Sequence, residues 1–155
     1  MEPLELSHAI LDQISAHAER EYPNECCGMI LAGDGPALRV RECENAQDRF
    51  HELEPEKFPR TSANAYYFDP KELLTIDREL RERREWIHTI YHSHPDADAY
   101  FSQEDELRAT WNGEALYPNA NQLVISVLNG NAGELGAFRW ENSDTGFRKV
   151  DIRIG

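Results

Sequence analysis

Positive charge is what this sequence has least of. Its 155 residues hold 16 Lys and Arg against 29 Asp and Glu, a net charge of −13 at pH 7. Such a balance disfavours binding to nucleic acid or to an anionic membrane, and the densest basic stretch, Arg78 to Arg84, is interleaved with glutamates. Long apolar runs are missing as well. Nothing approaches the ~20 residues of a spanning helix, and residues 1–20, which include Glu2, Glu5 and Asp12, lack the basic start of a secretory signal. A cytoplasmic protein is the expectation. Cysteine is sparse, with three in all. Cys26 and Cys27 adjoin, Cys43 stands apart and no C-x-x-C spacing occurs. This excludes a disulfide framework and argues against a structural zinc site. Reduced, buried thiols acting as small hydrophobes are expected instead.

What is present suits one domain over residues 1–155, a length that can bury a core of its own. Residues 7–22 carry apolar positions Ile10, Leu11, Ile14, Ala18 and Tyr22 at helical spacing, with Ser7 as N-cap and Pro23-Asn24 as a stop. Cys26 to Ala32 reads as a buried strand, and Ala37 to Cys43 as its hairpin partner across Gly33-Asp34-Gly35-Pro36. Residues 45–65 have weak periodicity and two prolines and read as a long surface loop. Asp69-Pro70 opens a second helix, with Leu73, Ile76 and Leu80 as its stripe. Trp86 to His92 is a strand, Ser102 caps a third helix running to about Trp111, and 112–121 form a second loop. Strands at Gln122–Leu128, Glu134–Trp140 and Phe147–Ile154 close the chain. The order predicts an α/β (α+β) fold, a mixed sheet flanked by helices.

One constellation outweighs the rest: His92-Ser93-His94-Pro95, six residues, then Ser102-Gln103-Glu104-Asp105. Alternate residues of a strand face the same way, so His92 and His94 share a face about 6.6 Å apart. Asp105 falls in the first turn of the helix that Ser102 begins, where unpaired N–H groups and the helix dipole favour an ionised carboxylate. Two imidazoles and a carboxylate are the donor set of catalytic zinc sites, which leave the fourth position to water. Read alone, H-x-H is an ordinary strand and S-x-x-D an ordinary cap. Their conjunction at a strand-to-helix junction is what points to a metal. Asp96 and Asp98 stand as alternative ligands. Ser93 faces away and is expected to bond within the fold, and His88 lies too far along the strand, roughly 13 Å, to share the ion. His8, His17 and His51 read as structural or solvated.

The pattern H-x-H-P-x(6)-S-x-x-D resembles that of the JAMM metalloproteases, the JAB1/MPN+ family, and Pro23-Asn24-Glu25-Cys26-Cys27-Gly28 resembles the family's P-x-E-x-C-G element. The resemblance covers nearly the whole chain and implies a single MPN/JAMM domain, with a helix–strand order like that of cytidine deaminase. It implies that His92, His94 and Asp105 bind one Zn²⁺, that Glu25 is the general base, and that Ser102 donates a hydrogen bond to the oxyanion. Spacing alone does not select Glu25 from the other acids. The short single-domain form is similar to prokaryotic members that act on ubiquitin-like sulfur carrier proteins ending in Gly-Gly. The implied reaction is hydrolysis of the amide after that glycine, releasing cysteine or a lysine side chain. The loops at 45–65 and 112–121 are then where an extended tail is held, with Tyr66, Tyr67, Tyr100 and Phe101 as groove walls or core aromatics. Arg49, Lys57 and Arg60 are a candidate basic spot for an acidic carrier. Two alternatives differ in class. A small-molecule zinc hydrolase of deaminase type lacks its P-C-x-x-C ligand pair here, and a non-catalytic MPN interaction module would not need intact ligands.

Overall fold

The computed structural model describes residues 1–155. In chain order its elements are β1 (Leu4–Leu6), α1 (His8–Glu21), β2 (Cys27–Ala32), β3 (Leu38–Cys43), α2 (Gln47–Leu53), α3 (Pro70–Arg83) and β4 (Trp86–Pro95). Then come α4 (Gln103–Ala109), β5 (Thr110–Trp111), β6 (Glu114–Ala115), β7 (Asn121–Leu128), β8 (Asn131–Asn142), β9 (Gly146–Val150) and β10 (Ile152–Ile154). Six strands form the expected mixed sheet, in the order β3-β2-β4-β7-β8-β9. Every neighbouring pair is antiparallel except β4 and β7. Parallel neighbours need a long crossover. Here the crossover contains α4 and the β5–β6 hairpin, which is how the chain carries Asp105 back beside the end of β4.

Side-chain parity sorts the core into two layers. Cys26, Ile30, Tyr91, Leu123, Ile125 and Val127 face α1, which contributes Ile10, Ile14 and Ala18. Cys27, Met29, Leu31 and Ile90 face the other way and pack with Tyr66 and with Ile76 of α3. The helix signals hold as read. Ser7 Oγ accepts from Ile10 N at 3.1 Å, and Asp69 caps Lys71 N with Pro70 in the first turn. Gly28 sits directly opposite Tyr91 in the β2–β4 register, and a Cβ there would run into the Tyr91 phenol. The tyrosine thus crosses the sheet surface where glycine gives it room, and its hydroxyl meets His17 Nδ1 at 2.7 Å.

Three expectations need correction. Residues 45–65 are not one loop, for α2 lies within them. That helix has Ala46 at its N-cap and no side-chain cap bond, and it is held by an aromatic cluster of Phe50, Phe58 and Tyr67 rather than by a periodic stripe. The third helix stops at Ala109 instead of Trp111, and Thr110–Trp111 pairs with Glu114–Ala115 across Asn112-Gly113. Both turn residues have positive φ, 54° and 81°, the conformation a two-residue hairpin favours. The final strand breaks after Val150, and β10 leaves the main sheet to pair in parallel with β1, an N-terminal strand that sequence reading missed.

Candidate metal centre

His92 and His94 occupy the last turns of β4, on the face that also carries Cys27 and Ile90. Both are buried, as is Asp105. The three residues form a small triangle in which the Asp105 oxygens divide between the histidines: His92 Nε2 to His94 Nε2 is 3.2 Å, Oδ1 lies 3.1 Å from His92 Nε2, and Oδ2 lies 3.1 Å from His94 Nε2. Three ligands about 2.0–2.1 Å from one tetrahedral centre stand roughly 3.3 Å apart. The group fits zinc in donor type, and its ligand atoms lie within 4.8 Å of one another.

The residues around the triangle hold it in a binding state. His94 Nδ1 lies 2.8 Å from Asp98 O. That carbonyl can only accept, so Nδ1 carries the proton and the Nε2 lone pair faces the triangle, the usual carbonyl–histidine support for a metal. Tyr66 stacks on the His92 ring, centroids 4.5 Å apart at 27°, and Tyr100 meets His94 edge-on at 5.0 Å. Ser102 and Asp105 form a reciprocal capping box, Asp105 N donating to Ser102 Oγ and Ser102 N to Asp105 Oδ2, both at 3.0 Å. Burial alone would raise the Asp105 carboxyl, but the facing His92 and His94 and the Ser102 N–H hold it well below the usual carboxylate range.

The loop from 96 to 102 is tied down along its length, so Asp98 O and the start of α4 have fixed places. Asp96 N donates to Val127 O, Ser126 Oγ to Ala97 O, and Ala99 N to Glu134 Oε1. A Cβ on Gly136 would collide with Ala99 O, so only glycine lets the loop lie this close to β8. The Asp96 carboxylate is occupied by Tyr22 Oη at 2.7 Å and Asn129 N at 2.9 Å. Asp98 contributes its carbonyl. Neither joins the cluster of potential ligands.

Glu25 lies two residues before β2. Ser93 N donates to Cys26 O at 3.2 Å and Cys26 N to Ser93 Oγ at 2.8 Å, the internal role expected of Ser93. Glu25 directly precedes Cys26, and the charge of Asp105 acts on its carboxylate. Its backbone is fixed by Ser62 O and by Asn45 Nδ2, while Oε1 is buried with no partner. Burial, then the charge of Asp105, pushes the Glu25 carboxyl well above its usual range, with Arg60 offsetting part of the rise. Sequence reading missed the roles of Asn45, Ser62 and the Asp98 carbonyl. Each of these contacts uses a backbone carbonyl, of Glu25, Ser62 or Asp98, and so leaves no side-chain spacing signature.

The remaining candidates separate cleanly. Tyr66 and Tyr67 are part of the packed aromatics, and Phe101 packs on Phe138 and Phe147. Tyr100 is half exposed beside His94. His88 bonds Thr89 and is outside the cluster. Arg49 is paired with Glu44 and Asp69, while Lys57 lies over the Phe58 ring and pairs with no carboxylate. All three cysteines are buried and unpaired, and burial pushes the Cys26 and Cys43 thiols up to about 12.

Comparison with known proteins accords with this geometry. The chain is 28% identical to the CysO-cysteine peptidase of Mycobacterium tuberculosis, over 84% of this chain and 77% of that one. It is also 28% identical to the desampylase of Haloferax volcanii, over 97% and 96%. A solution structure from Desulfitobacterium hafniense superposes with a TM-score of 0.71 at 23% identity, covering 98% and 92% of the two chains. A JAB1/MPN domain protein from Archaeoglobus fulgidus gives 0.52 at 11%, covering 96% and 98%. These two establish the mixed-sheet fold as shared. The model describing prokaryotic homologs of the JAB domain matches residues 7–141. That span takes in Glu25, both histidines, Ser102 and Asp105, and the chain belongs to this family.

Proposed function

We propose that this protein is a zinc-dependent peptidase that hydrolyses the amide after the C-terminal glycine of a ubiquitin-like or sulfur carrier protein. The observation that carries the proposal is the buried group of His92, His94 and Asp105, with a buried carboxylate, Glu25, whose Oε1 has no partner and which feels the charge of Asp105. When bound there, zinc would acidify a coordinated water and polarise a carbonyl.

The protein's own groups supply the proton path and the charge stabilisation. Glu25 accepts the proton of the attacking water and returns it to the leaving amine nitrogen; its raised affinity for a proton favours the first of these steps. Ser102 Oγ accepts from Asp105 N, which leaves the hydroxyl hydrogen to donate to the carbonyl oxygen as negative charge gathers on it. His94, fixed through Asp98 O, and His92, fixed beneath Tyr66, keep the ligand atoms aimed. The 45–65 segment borders Glu25 through Ser62 and Asn45. The β5–β6 hairpin borders α4 through Leu116 N to Ala109 O. Both segments suit a role in holding an extended tail.

The relatives named for CysO-cysteine cleavage and for desampylation support a carrier substrate, and the resemblance implies its Gly-Gly ending. The parallel pairing of β1 with β10 joins the two ends of the chain, which supports residues 1–155 acting as one domain. Three reduced cysteines agree with a cytoplasmic setting, and no helix is long and apolar enough to cross a membrane. The test is intact-mass analysis of two substrates, a carrier–cysteine adduct and a carrier–lysine isopeptide conjugate. Release of a carrier ending in glycine from either one supports the proposal. Neither being cut by zinc-replete protein would refute it.

A further inference from the structure

Cys27 of β2 pairs with His92 on one side and with Cys43 of β3 on the other, and Cys27–Cys43 is the last pair of the β2–β3 ladder. Glu25 stands two residues before Cys27, and Asn45 two residues after Cys43. Here a side chain takes over from the ladder. Asn45 Nδ2 donates to Glu25 O at 2.9 Å and to Ala65 O at 3.0 Å, while Oδ1 accepts from Gln47 N at 3.0 Å and from Tyr67 N at 3.1 Å. A side-chain amide has two N–H donors and two lone pairs on its oxygen. Every hydrogen-bonding position of Asn45 is therefore filled, each by a backbone group. Ala46 N adds a further bond, to Tyr67 O at 2.9 Å.

These bonds converge on the site from two directions. Glu25 carries the carboxylate assigned as base, and Ala65 and Tyr67 flank Tyr66, whose ring stacks on His92. The two histidines differ in how they are held. His94 Nδ1 has Asp98 O at 2.8 Å, whereas His92 Nδ1 is buried without a partner. A ligating imidazole ordinarily has its plane set by a hydrogen bond at the other ring nitrogen. His92 makes no such bond, and the face of Tyr66 takes its place. A catalytic constellation has to be held to within about 0.5 Å, and a misplacement of about 1 Å can cost about 10²-fold in rate. One amide thus joins the segment bearing the base to the segment bearing the ring on a metal ligand.

We infer that Asn45 is a positioning residue of the peptidase: it sets the Glu25 peptide and the Tyr66 ring, and through that ring the plane of His92, relative to one another. It acts only through the backbone of other residues. Its loss leaves the ligand set and the Glu25 carboxylate chemically intact, so the defect falls on kcat rather than on metal content or KM. An amide with a merely structural role would lower stability and leave the folded molecules working at full rate. The catalytic half of the inference rests on the peptidase reading. The placement of Tyr66 on His92 does not.

The test compares the zinc-replete full chain with Asn45→Ala and the milder Asn45→Ser, below their melting range, with rates scaled to the folded, zinc-loaded fraction. On a carrier fusion joined after glycine, Asn45→Ala should keep its zinc, hold KM within about 2-fold and lose about 10-fold or more in kcat. Its His92 ring protons, which lie against the Tyr66 face in the wild type, should change their NMR shifts. Asn45→Ser should fall between the two. Unchanged kcat in folded Asn45→Ala overturns the catalytic half, and unchanged His92 shifts overturn the placement. Where neither variant folds, hydrogen exchange on the wild type decides. Slow exchange at the Gln47 and Tyr67 amides sustains the clamp, and exchange as fast as at exposed amides overturns it. His92 shifts that move in the variant of a protein whose wild type cuts no carrier sustain the placement and refute the peptidase reading, together with the catalytic half.

Discussion

Asp105 serves two masters at once: its oxygens face both histidine Nε2 atoms, and Oδ2 also accepts the Ser102 N–H that caps α4. Substitutions separate the roles. Asp105→Asn keeps an acceptor for the cap but loses the charge, so zinc content should collapse while thermal stability of the metal-free protein falls by about 1 kcal/mol or less. Ser102→Ala should cost about 1 kcal/mol through the lost cap, retain the metal, and lower kcat by about 10²–10³ through the lost oxyanion donor. Metal analysis, thermal melts and steady-state rates on the two variants check this. The grouping of His92, His94 and Asp105 was legible in sequence because alternate strand residues and a first-turn acid have fixed local geometry. Glu25 was not legible from spacing, since it lies far along the chain from Asp105, whose charge acts on it, and only the family resemblance selected it.

At the scale of elements, α1 is fastened to the sheet through His17 and Tyr91, a contact that exists only because Gly28 lies across from the tyrosine. Gly28→Ala should therefore destabilise the fold by at least about 1–3 kcal/mol, read as a drop in the urea midpoint with unchanged slope. His17 gives the same contact a pH dependence. Burial lowers its pKa, with Glu42 opposing in part. A depressed value means that the unfolded chain binds the proton more readily. The His17 contribution is then fully present above about pH 6.5 and is lost as pH falls through the lower folded value. His17→Gln should flatten that limb of the stability profile. The strands and capped helices were readable because each carries its own periodicity or cap. The elements missed or misjudged, α2, β1 and the β5–β6 hairpin, are short and held by tertiary contacts. For the hairpin, the Asn112-Gly113 pair was a turn signal already present in the sequence.

Across the whole molecule, the charge of −13 sets the terms of any protein encounter. Arg49 is paired with Glu44 and Asp69, and Arg60 lies 3.8 Å from Glu104, so two residues of the candidate docking spot already face carboxylates. For an acidic carrier, kcat/KM should rise as salt increases from about 10 to 150 mM, since the screening length falls from about 30 to 8 Å and repulsion weakens. A fall over that range would show a basic docking spot to be dominant. The global fold was legible because the element order alone limits how a mixed sheet can be wound. The contacts of Asn45 were not, because three of the four join it to residues 20 or 22 positions away.

The most direct test of the account joins metal content to chemistry in one preparation. Zinc-replete, chelator-free protein and its Glu25→Gln variant are analysed for zinc and incubated with a carrier fusion joined after Gly-Gly, with products read by intact mass. The account predicts one zinc per chain in both, a carrier ending in glycine from the wild type, and uncut fusion from the variant. Protein without zinc, or a variant that cuts as fast as the wild type, would contradict it.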